Sequence, residues 1–163
     1  MRSVEFIPFR LTDQADIYSI RVDNQPLTET GKFLAGFKDS EDRYIRDDFN
    51  RILLAIQEMS TKGILERFFR IEGGIDDRVF AMPLLTVARD TRRHGTLRLY
   101  CLRISEGLLI LGGGGLKQTA TYDEDPLLSH QVMLLQAIDR ELARIEKEKG
   151  NLDDLINTTV YVQ

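Results

Sequence analysis

One short segment of the sequence combines side chains that could bind a negatively charged group. Strand alternation over residues 97–104 places Arg98 and Tyr100 on one face. The opposite face carries the apolar residues Leu97, Leu99 and Cys101. If helices cover the apolar face, Arg98 and Tyr100 point to an open side, where a guanidinium can pair with an anion and a phenol can supply a proton. An ordinary polar face on a solvated sheet fits the two residues equally well.

A run of glycines, Gly112 to Gly115, precedes Lys117. Unshielded backbone amides at Gly114 and Gly115 could let a phosphate approach closely, next to the charge of Lys117. The run is not a P-loop, because the G-x-x-x-x-G-K-[ST] spacing is absent and no helix is predicted to start there. Glycines inside strands more commonly mark a bulge or a close crossing of two backbones, and we favour that interpretation.

Further basic residues flank these strands. Arg92, Arg93 and His94 form a predicted loop that could reach a nucleic acid, and His94 could act as acid or base because histidine titrates near neutral pH. A simply solvated loop is the alternative. Arg70 lies near the end of its predicted strand and could join the same site. With two histidines, one cysteine and no ligand spacing, we expect neither a metal nor another cofactor.

The charge is unevenly distributed along the 163 residues, whose net charge is -4. Residues 61–120 hold 10 Lys+Arg against 6 Asp+Glu, which gives +4. Residues 121–163 hold 4 against 9, which gives -5. A basic middle between acidic flanks suits a phosphate-bearing partner, although arginines on the solvated face of a sheet explain it as well.

Composition predicts one ordinary globular domain over residues 1–163, with a lead-in over 1–16 and a tail over 150–163. The apolar content is 42% and the charged content 29%, both typical of folded proteins. One cysteine favours a reducing compartment. No apolar run reaches the ~20 residues that span a bilayer, and MRSVEFIPFR lacks the apolar stretch of a signal peptide. We therefore expect a cytoplasmic protein without membrane contact.

Hydrophobic periodicity predicts the order of the elements. We expect a strand at 17–23, helices at 28–37 and 40–62, four strands between 64 and 117, and a helix at 126–149. Ser40 is the predicted N-cap of the second helix and Gly63 its end. The expected fold is α+β, with an antiparallel sheet of about four to five strands, the N-terminal helices on one face and a long C-terminal helix. Both long helices are expected on the Leu97 face, and the tail is expected to form an edge strand.

The run GTLRLYCLRISEGLLILGGGGLKQT resembles the strand–hairpin–strand signature of RelE/HigB-type toxins of bacterial toxin–antitoxin pairs. In that family an Arg-bearing strand turns back into an apolar strand that ends in glycine and a basic exit. The opening strand IYSIRVD and the two helices after it are similar to the start of the same family. The resemblance covers roughly residues 17–145 and implies a single RelE-like domain.

The resemblance implies a metal-independent endoribonuclease that cuts mRNA, often on the ribosome, and that is held by a cognate antitoxin protein. In this chemistry a 2′-hydroxyl attacks the adjacent phosphate, so base, acid and cationic groups are needed. Arg98 matches the family's strand arginine and Lys117 its basic exit. The candidate catalytic set is Arg98, Tyr100, Lys117 and His94, and the candidate RNA contacts are Arg70, Arg92, Arg93, Gly114 and Gly115. The alternative is a RelE-fold module that binds protein or RNA without cleaving it.

Overall fold

A computed structural model describes residues 1–71, 78–83, 95–118 and 125–163, with residues 70 and 71 described by their backbone alone. The strands are β1 (Arg2–Leu11), β2 (Asp16–Val22), β3 (Arg70–Ile71), β4 (Val79–Met82), β5 (Thr96–Ser105), β6 (Leu108–Lys117) and β7 (Thr159–Val162). The helices are α1 (Glu29–Phe37), α2 (Arg43–Lys62) and α3 (Pro126–Lys149), and 3₁₀ turns lie at Glu66–Phe68 and Leu155–Asn157. Among these helices, none is long and apolar enough to cross a membrane.

The described strands form one mixed sheet in the order β3-β4-β5-β6-β2-β1-β7. Every neighbouring pair is antiparallel except β2 and β6, which run parallel over Asp16–Ser19 and Leu108–Leu111. Parallel neighbours need a long crossover, and here the chain between β2 and β6 supplies it. The α+β class is confirmed. The wholly antiparallel sheet of four to five strands is wrong, because β1 and β7 extend the sheet beyond β2 and because β2 pairs in parallel.

Helix boundaries follow from capping residues. Asp42, not Ser40, caps α2, because its carboxylate accepts hydrogen bonds from the backbone N–H groups of Tyr44 and Ile45. Ser40 instead accepts a hydrogen bond from the N–H of Asp42. The predicted end at Gly63 is confirmed, since this residue takes a φ of 94° that favours glycine.

The long C-terminal helix was predicted with its observed bounds. Asp125 accepts hydrogen bonds from the backbone N–H groups of Leu127 and Leu128, and Pro126 occupies the first turn, where its missing N–H costs nothing. Gly150 ends the helix in the left-handed conformation, with a φ of 82°. The tail then returns as β7, which confirms the predicted edge strand next to β1.

Two separate apolar cores lie on the two faces of the sheet. One joins α1 and α2 to the sheet and contains Ile52, Ile56, Met59, Leu97, Leu99 and Cys101. The other joins α3 to the sheet and contains Tyr100, Leu102, Leu128, Val132, Leu135 and Ile138. The expectation that both long helices share the Leu97 face is therefore right for α2 and wrong for α3. Each helix buries its own apolar stripe, and one sheet face offers too few partners for both.

Two segments differ from their predicted structure. The lead-in forms the long strand β1, which pairs with β2 despite Pro8 and a register shift between Pro8 and Arg10. The segment 64–71 was predicted as one strand, but only Arg70–Ile71 pairs with β4. The 3₁₀ turn Glu66–Phe68 precedes it, and Phe69, directly after the turn, packs into the α2 core. Short apolar runs do not distinguish strands from turns that insert aromatic rings into a core.

The α2 core provides a test of this arrangement. Ile56 is 1% exposed and Leu54, on the same helix, is 54% exposed. We expect Ile56→Ala to lower the free energy of unfolding by about 2–5 kcal/mol, because the substitution removes buried methyl groups and leaves a cavity. Leu54→Ala is the matched control and should change the unfolding midpoint little. Equal effects of both substitutions in urea titrations would contradict the packing of α2 on β5.

Candidate functional site

The β5–β6 hairpin brings the strand residues of the predicted site together. Thr96 pairs with Lys117, and Arg98 pairs with Gly115. Directly paired residues of antiparallel strands share a face, so Arg98 and Lys117 are diagonal neighbours on the face that also carries Tyr100. Arg98 and Tyr100 of β5 and Lys117 of β6 therefore lie on one face of the hairpin.

This face is covered, however. Helix α3 packs on it, and the exposed fractions are 8% for Arg98, 0% for Tyr100 and 7% for Lys117. The expectation that Arg98 and Tyr100 face an open concave side is wrong, because α3 occupies that side. In the described form an RNA phosphate cannot reach the phenol of Tyr100. The chemical roles of the three side chains stay predictions.

The glycine run is explained by close packing. Leu99 pairs with Gly114 and Cys101 with Leu111, so Gly112 and Gly113 both lie opposite the single residue Tyr100. This register shift is a β-bulge, the interpretation favoured above.

A side chain at Gly114 is excluded by the neighbouring strand, and one at Gly115 would press on α3. A Cβ at Gly114 would lie 1.8 Å from the carbonyl oxygen of Arg98, and a Cβ at Gly115 would lie 3.3 Å from the Leu128 side chain. These contacts account for both glycines without a phosphate, and their predicted role in RNA binding has no further support.

Hydrogen bonds from helices on both faces of the sheet stabilise the bulge. The hydroxyl of Thr30 on α1 donates to the carbonyl oxygen of Gly112 at 2.8 Å. The side-chain oxygen of Gln131 on α3 accepts from the N–H of Gly113 at 3.2 Å, and its amide nitrogen donates to Glu29. Strand β2 pairs with β6 only as far as Leu111, so these side chains satisfy backbone groups that lie beyond the end of that pairing.

Arg78 fastens the C-terminal half of α3 to the sheet. Its Nε donates to the Asp139 carboxylate at 2.7 Å, and its backbone N–H donates to the other oxygen of the same carboxylate. Its Nη1 donates to Glu146. Burial alone would lower the pKa of Arg78, but the hydrogen bonds and charges of Asp139 and Glu146 outweigh it and raise that pKa. The sequence offered one signal, since Asp139 is four residues after Leu135, at the edge of an apolar stripe.

Another buried carboxylate ties α2 to the start of β5. Asp48 is 1% exposed, and its Oδ2 accepts from the backbone N–H of Leu97 at 2.9 Å. Cys101 is fully buried nearby, and burial raises the pKa of its thiol, so it is not a nucleophile at neutral pH. Sequence reasoning missed Asp48, although a signal existed: Asp48 lies three residues after Ile45 and four before Ile52, on the apolar stripe of α2.

The structure does not test the remaining predicted residues. Arg92, Arg93 and His94 lie outside the described residues, as does the side chain of Arg70. His130 is exposed on α3 and contacts Arg2 at 3.1 Å. Within the described ranges, no group of three or more His, Cys, Asp and Glu side chains could hold a metal ion.

No protein-family model, curated protein or solved structure matches the chain. The fold and the covered hairpin define an α+β protein with a mixed sheet between two helical layers.

Gly114 tests how the hairpin is built. Gly114→Ala places a methyl group against the Arg98 backbone, so we expect a loss of about 2 kcal/mol or more in the free energy of unfolding. Gly36→Ala in α1 is the control, because an added Cβ there would meet nothing within 4 Å and alanine favours helices. If urea titration shows that Gly114→Ala is as stable as Gly36→Ala, the close crossing of β5 and β6 is wrong.

The Arg78 contacts give a second prediction. Arg78→Met should lower the free energy of unfolding by about 1–3 kcal/mol, since it breaks partly buried hydrogen bonds to a carboxylate. Arg144→Met is the matched control, because Arg144 pairs with Glu141 and Glu148 in solvent and should contribute little. A double-mutant cycle with Asp139→Asn should show coupling; additive losses would mean that Arg78 and Asp139 act separately.

Proposed function

We propose that this chain is a RelE-like component of a type II toxin–antitoxin pair that acts as a binding module for its partner protein or for RNA, without cleaving RNA in its described form. The proposal rests on the sequence resemblance, together with the order of β2, two helices, an antiparallel meander and a long helix over residues 16–149. The observation that carries the non-catalytic part is the burial of Arg98, Tyr100 and Lys117 on the sheet face on which α3 packs. Catalytic groups must reach the phosphate at hydrogen-bond distance, and side chains covered by a helix cannot.

A second candidate is the metal-independent endoribonuclease on mRNA that the resemblance implies. One observation favours it: Arg98 and Lys117 are diagonal neighbours on paired strands, with Tyr100 on the same face. Such a group could stabilise the charge that develops on phosphate, provided that α3 leaves the hairpin. The candidate cations of the segment 92–94 would then complete the site.

Induced expression in a bacterium separates the two candidates. For the binding module, we expect an unchanged growth rate on induction, with or without the neighbouring gene, and intact total RNA. We also expect the neighbouring gene's product to co-purify with the tagged chain. The measurements are growth curves, primer-extension mapping of mRNA ends and co-purification.

The variant Arg98→Met is the control in case induction arrests growth. Growth arrest that the neighbouring gene relieves, and that Arg98→Met abolishes while the protein stays folded by circular dichroism, would contradict the binding module. That result would support the ribonuclease. RNA binding without cleavage, weakening steeply between 50 and 200 mM salt, would instead identify RNA as the partner of the module.

A further inference from the structure

A cavity of ≈ 590 Å³ opens at the end of the hairpin away from Lys117. It lies beside the β5–β6 turn, between β2, the C-terminal half of α3 and the segment that follows α3. Its polar lining includes the carboxylates of Asp16, Glu146 and Asp153 and the phenol of Tyr18. The cavity is therefore distinct from the covered cluster around Arg98.

The lining is acidic. It contains three carboxylates and no Lys, Arg or His among the described residues. Glu146 forms an ion pair with Arg78, with 3.0 Å between Oε1 and Nη1. Asp16 and Asp153 are exposed and have no ion-pair partner within the described part of the chain. The cavity thus keeps an unneutralised negative charge that a cation could offset.

Tyr18 supplies an independent sign of a ligand. Its residue is 7% exposed, with the ring in the α3 core, yet it lines the cavity. Within the described residues its hydroxyl has no hydrogen-bond partner. Burial first, and the Asp16 charge second, raise the pKa of Tyr18, so the group stays a neutral phenol at neutral pH. Most of the Tyr18 side chain is packed in the core and the residue lines the cavity, so the hydrogen-bonding capacity of the hydroxyl is open to a group bound there.

We propose that this cavity binds a protonated alkylamine or alkylguanidinium group. Asp16 and Asp153 offset its charge, and the Tyr18 oxygen accepts one of its hydrogen bonds. The apolar walls formed by Ile104, Leu108 and Leu152 contact the methylene stem, as aliphatic surfaces do for Lys and Arg side chains. An organic cation suits the cavity better than a metal ion, since no described carboxylate cluster could hold a metal. The site is independent of the proposed toxin–antitoxin role.

The group could belong to a free polyamine or to a Lys or Arg side chain of a protein partner. Titrations of the full ¹⁵N-labelled chain with agmatine, with spermidine and with a capped peptide of one arginine among alanines distinguish the sources. We expect saturable shifts of the amides of Tyr18, Gly107 and Asp153. Preference for spermidine supports a free polyamine, and equal binding of agmatine and peptide supports a partner's side chain.

Three variants test the named groups. Tyr18→Phe keeps the buried ring and should weaken binding about two- to tenfold, the range for one net hydrogen bond. Asp16→Asn with Asp153→Asn should weaken it by about tenfold or more. Asp47→Asn is the matched control, because Asp47 is an exposed carboxylate on α2, across the sheet.

Thermal unfolding checks that each variant folds; if Tyr18→Phe does not, Asp153→Asn alone carries the test. Absence of shifts at the cavity with all three probes overturns the proposal. So does an equal loss of binding in Asp47→Asn and in the double variant.

Discussion

The whole arrangement depends on how closely α3 approaches β6. A Cβ at Gly112 would lie 3.0 Å from Leu135, and a Cβ at Gly113 would lie 2.8 Å from Gln131. Cores are packed to near-crystalline density, so a side chain at Gly112 would crowd Leu135 and the carbonyl oxygen of Tyr100. A side chain at Gly113 would displace the Gln131 amide that holds the bulge. The glycines thus let α3 settle on the hairpin and bury Tyr100 and Leu102 beneath it. The glycine run, which in the sequence could be a phosphate-binding loop, is the part of β6 on which α3 packs.

Close packing on both faces also explains which parts of the fold could be predicted. Caps and glycine ends are local signals, so the bounds of α3, the end of α2 at Gly63 and the β5–β6 turn were predictable from sequence. The face that each helix covers is a tertiary property, and strand alternation does not determine it. A signal did exist: LLIL in β6 is a continuous apolar run, which is typical of a strand buried on both faces. With both faces buried, Arg98 and Tyr100 could not lie on an open side.

The candidate site was predictable in part for the same reason. The short turn predicts that β5 and β6 pair, which puts Arg98 and Lys117 on neighbouring strands. The turn alone does not set their register, because the pairing shifts between Leu99 and Cys101. The groups that hold the site were not predictable, since Thr30, Gln131 and Arg78 reach their partners across long sequence separations. Nothing in their local sequence distinguishes them from ordinary surface polar residues. The burial of the hairpin face depends on these contacts between residues far apart in the sequence.

The energy needed to uncover the hairpin bears on the choice between the two functions. Freeing Tyr100 requires the first turns of α3 to leave, which exposes Leu128, Val132 and Leu135, all buried. At about 1.5–3 kcal/mol for each apolar side chain, opening costs about 4–9 kcal/mol. Each 1.4 kcal/mol is a factor of ten, so the open form is less than about one molecule in a thousand. A ribonuclease would need RNA or the ribosome to prefer the open form by that amount, because a ligand shifts an equilibrium only by its differential affinity. A binding module needs no such opening, since its outer surfaces are already accessible while the hairpin stays covered.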